Sequence, residues 1–177
     1  MGLDHGLRLG TLAPSEDGID WSDEAASKAY FETYSKWREG VEIITWRKAN
    51  AIHKWFVENV QDGVDDCENY KVTKAQLITM LDLVDRVLAG TRTEQGTIKN
   101  GTTYTAATGW LDNMVSGEVN LNPELAAEIL PSTSGFFFGS TDYDQWYLDN
   151  LRYTSETLTP FLDTMKDDDT VVYWSSW

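Results

Sequence analysis

The chain has 177 residues, 29 of them acidic and 14 basic, for a formal net charge of -15. That balance excludes a broad contact with duplex DNA, because releasing counterions from phosphates requires many surface cations. Eight Trp, eight Tyr and six Phe exclude a disordered acidic chain, and the length suits one domain with a sizeable core.

No apolar run approaches the roughly 18 residues of a membrane helix, so no membrane partner is expected. The opening MGLDHGLRLG lacks the basic start and apolar middle of a signal peptide, which makes the cytoplasm the expected compartment. With Cys67 alone, neither an internal disulfide nor a four-cysteine zinc site can form.

In chain order, Leu3 to Leu9 reads as a first strand closed by Gly10, and residues 11 to 21 as loop. Ser22 or Asp23 can cap a helix over Glu24 to Glu39, ended by Gly40. Glu42 to Val60, EIITWRKANAIHKWFVENV, has no Gly or Pro and is expected to be one long helix. Projected at about 100° per residue, it places Ala49, Ile52, Phe56 and Val60 on an apolar stripe, with Trp46, Arg47, Asn50, His53 and Lys54 on a polar seam beside it. An aromatic ring next to such donors suits a phosphate or a base edge. The competing interpretation makes Trp46 and His53 core residues capped by a carbonyl, with Arg47 and Lys54 paired to carboxylates.

Gln61 to Tyr70 is an Asp- and Gly-rich turn without calcium-loop spacing, so no metal is assigned there. Thr73 caps an amphipathic helix whose Leu77, Met80, Leu81, Leu83, Val84, Val87 and Leu88 are core. From Gly90 to Asn122 the composition turns to Thr, Gly and Asn, and Asn100-Gly101 predicts the tight turn of a protruding hairpin at about 91–121. Asn122-Pro123 opens a short helix to Leu130.

Gly135 to Tyr147, GFFFGSTDYDQWY, sets two glycines around three Phe. Ser140 or Thr141 is the expected cap of a helix beginning near Asp142, with Thr141 and Asp144 in capping-box spacing. A glycine-flanked helix start can receive a phosphate, although Asp142 and Asp144 already supply negative charge and favour an ordinary cap over a Phe cluster. Tyr147, Leu151, Leu158 and Leu162 form the core seam of that helix, Tyr143, Trp146, Asn150 and Tyr153 its neighbouring face, and Pro160 should kink or restart it. Val171 to Trp177 is a final strand that can pair with the first. The fold class is therefore α+β: a mainly helical single domain with a small sheet from the terminal strands and a protruding hairpin.

Four stretches, the opening MGLD, WRKANAIHKWFVENVQDGVDDC, ILPSTSGFFFGSTDYDQWY and the terminal SSW, together resemble a family of short proteins encoded by bacteriophages. The resemblance spans about half the chain and departs where His5-Gly6-Leu7 replace the usual Met-Tyr-Leu. It implies a phage accessory protein working in the cytoplasm of the infected bacterial host. Counter-defence proteins of this size include sponges that sequester nucleotide immune signals such as cyclic ADP-ribose isomers or cyclic oligonucleotides.

The expected function is thus binding of a small nucleotide ligand without cleavage, by Trp46, Arg47, Asn50, His53, Lys54, Ser140, Tyr143 and Trp146. No cofactor, metal or catalytic set is spelled out. Two alternatives stand: an acidic nucleic-acid mimic using Asp163, Asp167, Asp168 and Asp169, and a nucleotide phosphodiesterase with His53 as base near Ser140. The many Trp would also allow a homo-oligomer through an aromatic interface.

Overall fold

The computed structural model describes residues 2–12 and 14–177. Its elements are β1 (Asp4–Leu9), α1 (Glu24–Arg38), β2 (Val41–Arg47), α2 (Asn50–Asn59), β3 (Tyr70–Val72), α3 (Lys74–Gly90), β4 (Thr93–Thr105), β5 (Gly109–Asn120), α4 (Pro123–Ile129), α5 (Gln145–Thr164) and β6 (Val171–Ser176). The result is an α+β single domain in which helix outweighs strand. β1 and β6 pair as expected; they run antiparallel, in the middle of a four-stranded sheet of order β2-β1-β6-β3. β4 and β5 form a separate two-stranded hairpin.

The largest departure from the sequence-based expectation lies at Glu42 to Val60, where strand β2 is followed by α2. Val41, Ile43, Ile44 and Thr45 are β-branched and restrict χ1, which suits a pleated surface better than a helix. Ile44 and Trp46 point into the core opposite Leu7 and His5 of β1, which also satisfies one side of the strand's backbone. The break between strand and helix falls at Lys48, whose φ of 59° is a left-handed conformation for a non-glycine residue. Lys48 N–H donates to the Leu3 carbonyl at 2.7 Å, holding the turn against the chain start.

Several local expectations also change. Asn100-Gly101 is a bulge within β4, not the hairpin tip: Lys99 faces Met114 and Thr102 faces Asp112, so two residues oppose Asn113, with Gly101 at φ 79°. The chain reverses instead at 106–108, between Thr105 and Gly109. The last long helix is capped by Asp144, which accepts from Tyr147 N–H at 3.1 Å, while Ser140 hydrogen-bonds Asp142; the Thr141–Asp144 box does not form. Helix α5 then continues through Pro160 without restarting, with that proline on its exposed side. Asn122 stands at the start of α4 as expected, but its side chain accepts from Arg92 N–H and donates to the Gly90 carbonyl, tying the root of the hairpin to α3.

The core lies between the sheet and the helices. Leu7, Ile44, Trp46 and Tyr173 meet Ile52 and Phe56 of α2, and α3 packs along α5 through Leu77, Met80, Val84, Leu151 and Leu158. The α3 cap follows the expected pattern: Thr73 Oγ1 accepts from Gln76 N–H and Gln76 Oε1 accepts from Thr73 N–H. By contrast α1, capped by Asp23 through the Ala25 and Ala26 amides, buries none of its residues. Among the described residues no helix is long and apolar enough to cross a membrane.

Candidate binding cleft

The strand-to-helix turn at Lys48 and the loop ahead of α5 approach closely. A Cβ built on Gly139 would stand 3.1 Å from that of Lys48, and Gly139 itself has φ 93°, so both its size and its conformation are required. Asn50 staples these two segments. Its Nδ2 donates to the carbonyls of Phe138 (3.2 Å) and Ser140 (2.7 Å), and its Oδ1 accepts from Thr133 N–H at 3.3 Å.

Beside this staple opens a cleft of about 770 Å³ between the start of α2, the Ser140 loop, the first two turns of α5 and the bulge of the hairpin. Arg47 and Lys48 stand at its foot, Lys99 and Asn100 on the hairpin side, and Trp146 and Asn150 on α5. Ala49 is the N-cap of α2 and contributes no side-chain hydrogen bond, so no side chain occupies the amides of the first helical turn. Lys48 takes part in none of the eight ion pairs among the described residues. Lys99 pairs with Asp112 at 2.7 Å, and Arg47 uses one guanidinium nitrogen for both oxygens of Asp4, at 2.9 and 3.0 Å.

Trp146 joins the helix to the hairpin by donating its indole N–H to the Lys99 carbonyl at 3.3 Å, and 45% of the residue remains exposed, enough to offer a ring face. Asp142, Asp144 and Asp149 also line the cleft. Burial pushes the Asp144 carboxyl up from its ordinary range, against the helix amides that favour its charged form.

Of the residues expected to bind a ligand, Arg47, Asn50, Ser140 and Trp146 therefore share the cleft, while Trp46, His53, Lys54 and Tyr143 do not line it. Trp46 is fully buried. Its indole donates to Thr154 Oγ1 at 2.8 Å and its ring stacks on His5 with centroids 5.0 Å apart. His53 is held in the core between the Tyr173 hydroxyl (2.7 Å) and Asp65 (3.0 Å). Lys54 pairs with Glu58 along the helix, and the Tyr143 hydroxyl accepts from Ser132 N–H. For Trp46, His53 and Lys54 the alternative of core residues and carboxylate-paired cations describes the structure, although the anticipated carbonyl is replaced by a hydroxyl at Trp46 and by a hydroxyl and a carboxylate at His53. Asn50 reaches the cleft, but its hydrogen bonds are spent on the protein, so it shapes the wall and does not read a base edge.

Lys48, Lys99, Asn100 and Asn150 line the cleft and were not among the expected ligand-binding residues. Asn100 lay in plain view in the Asn-Gly pair, but the bulge that turns it toward α5 depends on strand register. The chain matches no protein-family model, no curated protein and no solved structure.

Proposed function

We propose that the cleft binds a small phosphorylated nucleotide and releases it chemically unchanged. The observation that carries this reading is Lys48: a cation that has no carboxylate partner among the described residues, beside the uncapped start of α2, at the foot of a cleft whose far wall presents the Trp146 ring. A helix start adds a partial positive charge and aligned N–H donors, which together with an ammonium suit one phosphate. An aromatic face suits a base, with a stacking contribution of about 1–3 kcal/mol. Asp142 and Asp149 can accept from ribose hydroxyls or a base amino group.

Within the resemblance to phage accessory proteins, the matching ligand class is a nucleotide immune signal, a cyclic ADP-ribose isomer or a cyclic oligonucleotide. The test is calorimetric titration with members of both groups, followed by chromatography of the ligand recovered after heating. Lys48→Ala should weaken binding about tenfold or more, since a charge-assisted hydrogen bond contributes roughly 1.5–3 kcal/mol. A cleaved ligand would replace sequestration by an enzymatic reading. Failure of every nucleotide to bind would remove the proposal.

A further inference from the structure

The outer face of the sheet carries a second cluster. Arg8 extends from β1 against two indoles, its guanidinium carbon 4.9 Å from the Trp37 ring of α1 and 5.4 Å from the Trp174 ring of β6. Strand register places Thr45, Gly6 and Trp174 abreast on the three neighbouring strands β2, β1 and β6. The Trp174 indole lies across Gly6 so closely that a Cβ there would stand 3.0 Å from its Nε1. On this face four polar atoms are shut off from solvent and have no hydrogen-bond partner among the described residues: Arg8 Nε, Trp37 Nε1, Trp174 Nε1 and Thr45 Oγ1.

Such a concentration is unusual, because a buried polar group left unpaired costs about 1–3 kcal/mol and folded proteins keep only a few. Arg8 is also absent from the eight ion pairs among the described residues, despite the 29 acidic residues of the chain and despite Glu42 standing opposite it in the β1–β2 register. Three of the four atoms are donors only and the fourth is a hydroxyl that can donate. The complement of that set is an acceptor without protons.

We propose that Arg8, Thr45, Trp37 and Trp174 form a binding site for a small oxyanion, a phosphate or carboxylate group, enclosed between the sheet and the last turn of α1. The guanidinium supplies the charge and the two indoles supply neutral donors while excluding water, which strengthens each hydrogen bond. Trp37 is the movable wall. It belongs to a helix none of whose residues is buried, so withdrawal of α1 exposes the site at little cost in core packing.

Inorganic phosphate is the probe, with acetate at equal ionic strength as the carboxylate arm and potassium chloride as the salt control. Thermal unfolding of the full chain reads the result. At a hundredfold excess over Kd the specific anion should raise Tm by about 5–10 °C above the chloride control. Because the cleft could also take phosphate, the measurement is repeated in Lys48→Ala, where the shift assigned to Arg8 persists even if the cleft proposal fails. Trp37→Phe keeps the stacked ring but removes one donor and should reduce the shift, and Arg8→Gln should abolish it. If Arg8→Gln does not fold, Trp37→Phe alone decides. Because phosphate also raises Tm by exclusion from the protein surface, only the part of the shift lost in Trp37→Phe counts: lost with acetate as well as phosphate it assigns a carboxylate-tolerant site, lost with phosphate alone a phosphate site. No shift beyond chloride, or an equal shift in Trp37→Phe, would overturn the proposal.

Discussion

Replacing Asn50 by Ala separates a structural role from a ligand-reading one. Asn50 is 4% exposed and makes three hydrogen bonds to protein backbone, two as donor and one as acceptor. Truncation leaves the Phe138 and Ser140 carbonyls and the Thr133 amide without their partner. At about 1 kcal/mol for each bond, the expected loss is about 3 kcal/mol, and in a chain of 177 residues that corresponds to a fall in Tm of about 6–12 °C. Urea unfolding followed by circular dichroism gives the same quantity as a lowered midpoint with an unchanged slope. Nucleotide affinity should fall too, because the loop that carries Gly139 and Ser140 loses its tie to α2. An Asn50→Ala variant with unaltered stability and abolished nucleotide binding would refute the staple and restore Asn50 as a direct ligand contact.

Two further predictions concern the same framework. Gly139→Ala should destabilise by about 1–2 kcal/mol in chemical unfolding, because it forces a side chain into a left-handed conformation against Lys48; unchanged stability would show that the two segments are not in contact. His5 is fully buried, and burial followed by the neighbouring His53 lowers its pKa well below the ordinary value of 6.5. The unfolded chain therefore binds a proton at His5 that the folded chain does not, so His5 leaves stability intact above about pH 6.5 and erodes it as pH falls below that value. Unfolding midpoints between pH 7.5 and 5 should show this slope, and it should flatten in His5→Phe; a slope unaffected by that replacement would contradict the assignment.

How far the sequence disclosed this molecule follows from where its structural signals are local. Helix α3 was legible because Thr73 and Gln76 mark its start and an apolar period of 3.6 runs through Leu77, Met80, Val84 and Val87. The pairing of β1 with β6 was legible from a short apolar segment at each end of the chain, while the outer partners β2 and β3 were not. The strand β2 was not, since Val41 to Arg47 contains no Gly or Pro and its end is set by a left-handed lysine, a conformation that composition does not announce. Reading through that break put Trp46 and His53 on one surface with Arg47. In the structure, side chains alternate along the strand, so Trp46 enters the core while Arg47 meets Asp4 outside. Arg47 reaches a common cleft with Ser140 and Trp146 from a segment about ninety positions away in the chain, and Lys99 joins them only through the hairpin bulge. The Arg8 cluster had no sequence signal at all, because it depends on the side-by-side register of three strands and on α1 folding over them.

The central claim, that the Lys48 cleft sequesters a nucleotide intact, is tested most directly by mass spectrometry of small molecules released on heat denaturation from protein incubated with cyclic ADP-ribose isomers and cyclic dinucleotides and then desalted. The cleft predicts that one such nucleotide is carried through desalting by the wild-type chain with its mass unchanged, and that folded Lys48→Ala carries little or none. Equal carriage by Lys48→Ala, a ligand of altered mass, or no nucleotide from the wild-type chain would contradict it.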